Sequence, residues 1–344
     1  MVNEQTSNMR RAAVLVAGSW GTALASVLAS NGYLVALWTR NEGQAKEINE
    51  KHTNSRFLPE CELPVNIVAT TDMEQALKDA ELVLFVAPSS AMRQVAQAAA
   101  PHLSPETLCV HATKGFETNT FKRMSIVLAE ELGRSASEIV VLTGPSHAEE
   151  VIRKQPTTVV VASESIEAAE KAQDALINSD FRVYTNRDVI GAEVAGAIKN
   201  IIALGAGLSD GLGFGDNAKA ALLTRGLAEI GRLGTAMGAS PMTFAGLAGV
   251  GDLVATCTSK HSRNWRAGYL LGDGTPLEQV LDKIGMVVEG VRTTQNAYQL
   301  SRQFHVEMPI TNQLYEVLFE GKPPKAAVEQ LMGRLKTHEM EPLE

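Results

Sequence analysis

Short apolar runs alternate with helix-forming segments through the first half of the chain. The apolar runs predict strands at 12–16, 34–38, 82–87, 107–112, 139–143, 158–162 and 181–185. The segments between them predict helices at 22–30, 72–80, 91–100, 120–132 and 165–178. Strands that alternate with helices indicate βαβ units and a mostly parallel sheet.

The pattern changes near residue 188, beyond which no further convincing strand run occurs. Long stretches rich in Ala, Leu and Gly follow instead, and they predict helices at 189–209, 218–237, 291–303 and 309–319. We therefore expect an α/β domain over residues 1–188 and an all-α domain over residues 189–344.

A stretch without charged residues, 12–39, follows Arg10 and Arg11 and has the composition of a signal peptide or membrane anchor. Glycines interrupt it, and the turn pair Asn31-Gly32 divides it. We interpret it as strand, turn, helix, turn and strand, buried on both faces. No membrane insertion is expected.

Composition narrows the class of partner. Hydrophobic residues make up 45% of the chain and charged residues 20%, as in ordinary globular proteins. The net charge of −8 argues against general binding to nucleic acid or anionic lipid. The three cysteines, Cys61, Cys109 and Cys257, are far apart in sequence, so neither a disulfide framework nor a metal site is expected. A reducing cytoplasm is the simplest location.

The first strand leads into Val16-Ala17-Gly18-Ser19-Trp20-Gly21 and then into a helix of small residues. In a Rossmann-type domain this turn brings backbone N–H groups at a helix N-terminus to a dinucleotide pyrophosphate. The usual pattern is G-x-G-x-x-G, and Val16 replaces its first glycine. We expect Val16 either to end the strand in an extended conformation or to displace the loop, and to weaken cofactor binding in both cases. A plain strand-to-helix turn is the alternative.

The second strand ends at Trp38-Thr39-Arg40-Asn41, without the acid that usually binds the ribose hydroxyls of NAD. Arg40 suits a 2′-phosphate, which favours NADP over NAD. The alternative is a solvated surface arginine.

Five groups of residues in the later motifs could carry chemistry. Lys199 is the only charge between Glu193 and Asp210, and partial desolvation of its ammonium would lower its pKa. Lys114 follows a strand end, where ligands bind in open α/β sheets. Asp252 lies between glycines and could pair with Lys199, and Thr256 follows it one helical turn later. Gly144, Ser146 and Ala148 surround a proline turn. Arg263 and Asn264 are candidate ligands for a phosphate. A snorkelling lysine, a loop lysine, a helix N-cap, a structural turn and surface charges are the respective alternatives.

Seven sequence blocks together resemble the bacterial NAD(P)-dependent glycerol-3-phosphate dehydrogenases. They are GSWGTALA at 18–25, ATKGFE at 112–117, TGPSHA at 143–148, GAEVAGAIKN at 191–200, GVGDL at 249–253, SRN at 262–264 and VEG at 288–290. The blocks follow the family's order over nearly the whole chain. The resemblance implies a helical domain like the C-terminal domain of 6-phosphogluconate dehydrogenase, and an active site in a cleft between the domains.

The resemblance also implies roles for individual residues. Lys199 would be the catalytic acid and base, assisted by Lys114 and Asp252. Cofactor contacts would come from Gly18, Ser19, Trp20, Gly21, Arg40, Asn41, Lys114, Ala148, Arg263, Val287 and Glu289. Substrate contacts would come from Lys114, Gly144, Ser146, Lys199, Asp252, Thr256, Ser262, Arg263 and Asn264.

The implied reaction is the reversible reduction of dihydroxyacetone phosphate to sn-glycerol 3-phosphate, with NADPH favoured over NADH and no metal required. Such a product would supply glycerophospholipid synthesis, and a homodimer is possible. Two alternatives stay open: another two-domain dehydrogenase acting on a hydroxy acid or 6-phosphogluconate, and a dinucleotide sensor without catalytic activity.

Overall fold

The computed structural model describes residues 9–336, 338 and 339. Among these, residues 9–113 form one unit with Met124–Val189, and Lys114–Arg123 form the second with the described residues from Ile190 onward. A single boundary after residue 188 therefore does not describe the Lys114–Arg123 segment, because the chain leaves the first unit at Lys114 and returns to it at Met124.

The first unit alternates strands and helices. Its described strands are β1 (Arg11–Leu15), β2 (Leu34–Trp38), β3 (Thr53–Asn54), β4 (Leu58–Glu62), β5 (Ile67–Thr70), β6 (Leu82–Phe85), β7 (Leu108–His111), β8 (Ile139–Thr143), β9 (Thr157–Ala162) and β10 (Phe181–Asn186). Its described α-helices are α1 (Ser19–Ser30), α2 (Glu42–Lys51), α3 (Met73–Leu77), α4 (Met92–Ala99), α5 (Met124–Leu132), α6 (Ala148–Val151) and α7 (Ile166–Leu176).

Eight strands form one sheet in the order β10-β9-β8-β7-β6-β1-β2-β5. Every neighbouring pair is parallel except β8 with β9. Side chains of β1 alternate between two apolar cores: Ala12 and Val14 face one, Ala13 and Leu15 the other. The chain leaves β1 toward β2 and β5 and resumes at β6 on the opposite side, so the strand order reverses beside the end of β1, where α/β sheets bind ligands.

The predicted parallel sheet is confirmed, and the charge-free stretch forms β1, α1 and β2 as expected. The sequence analysis missed β5 and α2. Helix α2 buries only Ala45 and Ile48, so it lacks a strong apolar stripe. The sequence analysis also began the helix at 120–132 too early, since residues before Met124 belong to the excursion into the second unit.

The described residues of the second unit form helices joined by loops, with no strand beyond an isolated bridge between Phe116 and Arg123. Its α-helices are α8 (Val189–Gly211), α9 (Asp216–Ala236), α10 (Asp252–Thr258), α11 (Arg263–Gly272), α12 (Leu277–Ile284), α13 (Glu289–Gln303), α14 (Pro309–Phe319) and α15 (Pro324–Met332). Helix α8 is long and apolar enough to cross a membrane, but 94% of its most apolar 18-residue stretch is buried inside the structure.

Glycines allow α8 and α11 to touch along their backbones. A Cβ on Gly207 would lie 1.9 Å from the Trp265 carbonyl oxygen, and one on Gly268 would lie 1.9 Å from that of Leu204. Neither position has room for a side chain. This close contact fixes the N-terminus of α11 beside the part of α8 that carries Lys199.

Candidate active site

Two lysines share one buried carboxylate in the second unit. Lys199 Nζ, on α8, donates to Asp252 Oδ1 and to Thr256 Oγ1, the latter at 2.6 Å. Lys114 Nζ lies 2.7 Å from Asp252 Oδ2. The Thr256 hydroxyl donates in turn to the Asp252 backbone carbonyl at 2.6 Å. The structure therefore brings four residues identified in the sequence into one cluster, with Asp252 paired to Lys199 as expected and also to Lys114.

The backbone before Asp252 is held tightly. A π-helical turn, Leu247–Gly251, leads into α10, and a Cβ on Gly249 would lie 2.0 Å from the Phe244 carbonyl oxygen. Because the turn packs directly against backbone, Asp252 enters the first position of α10 with a defined direction. Only 1% of its surface is exposed.

Lys114 reaches the cluster on the Lys114–Arg123 segment. Arg123 Nη1 lies 2.6 Å from Glu193 Oε2 on α8, and Asn296 Nδ2 donates to the Phe116 carbonyl at 3.2 Å. These contacts secure both halves of the segment to helices of the second unit. The sequence analysis gave Arg123 and Asn296 no role, because only the tertiary structure brings Glu193 and Asn296 to this segment.

The cluster's electrostatics favour proton transfer by Lys199. Burial lowers the pKa of Lys199 to about 7; the Asp252 charge opposes this shift and the Lys114 charge adds to it. For Asp252, burial opposes ionisation, but Lys114 and Lys199 together hold its pKa below the ordinary value. Lys199 can consequently release or accept a proton near neutrality while Asp252 stays ionised.

The start of α11 combines two anchoring side chains with one exposed charge. Ser262 caps the helix by accepting from Trp265 N at 3.2 Å. Asn264 is buried; its Nδ2 donates to Asn200 Oδ1 at 2.9 Å, and its Oδ1 accepts from Gly290 N at 2.8 Å. Both residues are candidates for substrate contact; Ser262 also caps α11, and Asn264 also joins α11 to α8 and α13. Asn200, which follows Lys199 directly, was missed as the partner of Asn264.

Arg263 differs from its two neighbours because its side chain is exposed. Its Nη1 donates to the Val287 carbonyl at 3.2 Å, just before α13, whose first residue is Glu289. Three candidate cofactor residues from distant blocks, Arg263, Val287 and Glu289, are thus gathered at the N-termini of α11 and α13.

The turn from Val16 to Gly21 in the first unit, called the phosphate loop below, has a form suited to a dinucleotide pyrophosphate. Gly18 is the N-cap of helix α1 and gives it no side-chain cap, and a Cβ on Gly18 would meet nothing within 4 Å. Ser19, Trp20 and Gly21 form its first turn. A Cβ on Gly21 would lie 2.2 Å from the Val16 carbonyl oxygen, so only glycine allows the loop to fold this tightly. A helix N-terminus of this kind is suited to an anion.

Val16 adopts a conformation that the sequence analysis did not expect. Its φ is +86°, so the backbone is not extended, and Val16 itself takes the left-handed conformation that suits the glycine it replaces. For a β-branched residue this strain costs about 1–3 kcal/mol. Of the two alternatives for Val16, the extended strand end was therefore wrong; a displaced loop and weaker cofactor binding stay predictions.

The end of β2 presents Arg40 on the surface. Its Nη2 donates to Gln94 Oε1 at 3.0 Å, and its guanidinium carbon lies 5.8 Å from the centre of the Trp38 ring. Asn41 caps α2, since its Oδ1 accepts from Gln44 N at 2.8 Å. Arg40 is thus an exposed cation held over an aromatic ring at the end of β2.

The turn after β8 holds the last group of candidates. Gly144 has a φ of +123°, and a Cβ there would lie 3.1 Å from Val159 Cα. Ser146 Oγ donates to the Gly144 carbonyl at 2.9 Å, and Ala148 begins α6. Among the residues that the structure describes, no group of three or more His, Cys, Asp or Glu side chains could hold a metal ion.

Comparison with known proteins extends over most of the chain. The family models for the NAD-dependent glycerol-3-phosphate dehydrogenase N-terminus and C-terminus match residues 11–169 and 188–329. The chain is 58% identical to a glycerol-3-phosphate dehydrogenase [NAD(P)+] of Bacillus pumilus over 336 residues, 97% of each chain. It is 55% identical to the Bacillus subtilis enzyme of that name over 97% of each chain. A glycerol-3-phosphate dehydrogenase crystal structure from Coxiella burnetii matches with a TM-score of 0.90 at 39% identity, over 95% of this chain and 99% of the other.

Proposed function

Because the chain belongs to the NAD-dependent glycerol-3-phosphate dehydrogenase family, we propose that it reversibly reduces dihydroxyacetone phosphate to sn-glycerol 3-phosphate. The resemblance found in the sequence motifs is confirmed by the family models and the relatives. The chain is accordingly an NAD(P)-dependent oxidoreductase. The observation that carries the proposal is the buried Lys199–Asp252–Lys114 cluster, which provides an acid–base group suited to a carbonyl and its alcohol.

Lys199 acts as the general acid during reduction and as the general base during oxidation. In the reductive direction it donates a proton to the carbonyl oxygen, and its positive charge stabilises the developing alkoxide. Asp252 orients Lys199 and remains ionised as its counter-charge. Thr256 Oγ1 accepts a hydrogen bond from Lys199, and Lys114 donates to the other oxygen of the same carboxylate. In the proposed complex Lys114 also contacts substrate and cofactor.

The nicotinamide cofactor supplies or accepts the hydride when it is bound. In the first unit, Gly18, Ser19, Trp20 and Gly21 bind the pyrophosphate through backbone N–H groups at the N-terminus of α1. Arg40 binds the 2′-phosphate, which makes NADPH the favoured cofactor. Asn41 and Ala148 contribute from the first unit, and Val287 and Glu289 from the second.

The substrate phosphate is bound chiefly by Arg263. Its guanidinium is exposed, and its planar N–H groups match the oxygens of a phosphate. Ser262 and Asn264 position this arginine through the cap and the Asn200 contact, and each keeps the polar side chain needed for a further contact. Gly144 and Ser146 complete the proposed set of substrate residues.

The cellular setting follows from the same proposal. The enzyme works in the cytoplasm, assembles as a homodimer, and supplies sn-glycerol 3-phosphate for glycerophospholipid synthesis. Size-exclusion chromatography with light scattering tests the dimer directly, because a mass equal to one 36.8 kDa chain would contradict it.

Cofactor oxidation at 340 nm tests the activity. Adding dihydroxyacetone phosphate to the protein with NADPH, and separately with NADH, should lower the absorbance, whereas a hydroxy-acid precursor or ribulose 5-phosphate should not. Binding of cofactor without turnover on any of these compounds would instead indicate a dinucleotide sensor. Lys199→Met is the matched control, because it should bind cofactor and fail to oxidise it.

A further inference from the structure

Two side-chain amides converge on one backbone carbonyl of the phosphate loop. The Ala17 oxygen accepts from Gln44 Nε2 at 2.7 Å and from Asn54 Nδ2 at 3.1 Å. The amides also bond to each other, with Gln44 Nε2 donating to Asn54 Oδ1 at 3.0 Å. Asn54 Nδ2 donates further to Thr22 Oγ1 on α1 at 2.8 Å. Asn54 is fully buried, so its contacts are shielded from water.

The same glutamine connects the loop to the end of β2. Its Oε1 accepts from the Thr39 hydroxyl at 2.5 Å, and its backbone N–H donates to Asn41 Oδ1 at 2.8 Å. Gln44 therefore joins the segment that carries Arg40 to the carbonyl that follows Val16. The two parts of the first unit that recognise a dinucleotide are tied together through one side chain.

The tethered carbonyl is next to the strained residue. Val16 has a φ of +86°, and its own carbonyl accepts from Gly18 N at 2.9 Å, which closes the tight turn into α1. An isolated valine strongly prefers a negative φ, so the surrounding contacts must hold it in this conformation. The Val16 N–H donates to the Trp38 carbonyl at 3.0 Å, and the bonds to the Ala17 oxygen hold the carbonyl of the residue that follows.

We propose that Gln44 and Asn54 are positioning residues that hold the phosphate loop in its left-handed conformation at Val16 and thereby set the affinity for the dinucleotide. This inference rests on the proposed function. Without the tether, Val16 would relax to a negative φ, and only the fraction of molecules with the tight loop would bind. The apparent Kd rises in proportion as that fraction falls. Glycine at position 16 adopts either sign of φ readily, so it should make the tether far less important.

A double-mutant cycle between positions 44 and 16 tests the inference. Gln44→Met keeps the size of a partly buried side chain and removes its hydrogen bonds. Titration with NADPH, followed by its fluorescence, should show Kd raised at least about fivefold by Gln44→Met in the natural chain and less than about twofold in the Val16→Gly background. Gln173→Met is the matched control, because Gln173 Nε2 also donates to a backbone carbonyl in the first unit, at 2.7 Å, and lies outside the loop network.

Amide hydrogen exchange of the cofactor-free protein gives a second readout. The Gly18 amide, which bonds to the Val16 carbonyl, should exchange faster in Gln44→Met than in Gln173→Met. If Gln44→Met does not fold, Thr39→Val replaces it, since this change removes the hydroxyl that donates to Gln44 Oε1 and accepts from Asn41 N.

The outcomes separate the inference from the proposed function. An unchanged Kd in Gln44→Met, or the same increase in both backgrounds, overturns the inference while leaving the enzyme assignment intact. A larger effect with Val16→Gly than with valine overturns it as well. Failure of the unaltered protein to bind either NADPH or NADH would overturn the proposed function itself.

Discussion

Removing the charge of Lys114 should raise the pH at which Lys199 loses its proton. Lys114 and Lys199 bond to the two oxygens of the same Asp252 carboxylate, so each ammonium disfavours the charge of the other. Lys199, whose pKa burial and Lys114 lower to about 7, is protonated below that pH and neutral above it. Reduction needs the protonated form and should decline above about pH 7, whereas oxidation should increase through the same pH.

The size of the shift follows from the separation of the two charges. Ammonium groups on opposite oxygens of one carboxylate lie about 5 Å apart, and at an effective dielectric of about 20 they repel by roughly 3 kcal/mol. That energy corresponds to about two pKa units. The Lys114 side chain is 20% exposed, so solvent screens part of the repulsion. In Lys114→Met we therefore expect the descending limb of the reduction profile to move about one unit toward alkaline pH.

The measurement is kcat/KM for dihydroxyacetone phosphate reduction across pH 5–10, which reports ionisations of free enzyme and free substrate. The substrate's own ionisations are common to all variants and cancel in the difference. Lys322→Met is the matched control, since Lys322 also forms an ion pair, with Glu316 at 2.6 Å, and its side chain is 18% exposed. A limb in Lys114→Met that stays in place or moves toward acid pH would refute the reasoning, whatever the loss in rate.

Four further changes test other parts of the molecule. Lys199→Met should lower kcat by at least about two orders of magnitude, the scale of a general acid, and normal turnover in a steady-state assay would remove Lys199 from the mechanism. At position 16, glycine should be more stable than alanine to urea by about 1 kcal/mol, because the φ of +86° reverses the usual order; a more stable alanine variant would contradict the strain. Arg40→Asp should move the ratio of kcat/KM values toward NADH by about tenfold or more, and a natural enzyme that strongly prefers NADH would show that Arg40 does not bind a 2′-phosphate. Gly268→Ala should lower the free energy of unfolding in urea by more than about 3 kcal/mol, since its Cβ would lie 1.9 Å from a backbone oxygen. Gly231→Ala, whose Cβ would lie 3.9 Å from the Phe244 ring, should be neutral or stabilising. Similar effects at both sites would contradict the tight contact between α8 and α11.

The sequence alone determined the kinds of element and their order. Period-two and continuous apolar runs have few alternatives to buried strands, and glycine with small residues after β1 is typical of a dinucleotide loop. The same local reasoning identified Lys199, since a lone charge in an apolar helix either binds something or lies at a surface. It also identified the lack of an acid after β2, where Arg40 stands. Such features depend on neighbours a few residues away, so they are readable without a fold.

Tertiary structure decided which of these residues meet. The Lys114–Arg123 segment crosses to the second unit because Arg123 pairs with Glu193, 70 residues later, and no local pattern announces such a contact. The partnership of Asn264 with Asn200 likewise spans 64 residues. The sequence does not show which Asn and Gln side chains form such contacts, because an amide can hydrogen-bond equally well to solvent and to a buried network.

Val16 shows most clearly what the sequence determined and what the tertiary structure decided. The sequence identified it as the departure from the glycine pattern, but local rules assign valine an extended backbone. The fold holds it at a φ of +86°, because Gly21 packs against its carbonyl and Gln44 and Asn54 bind the next one. Backbone conformation at a single residue is decided by the sum of its contacts, and at this position long-range hydrogen bonds outweigh the preference of the side chain.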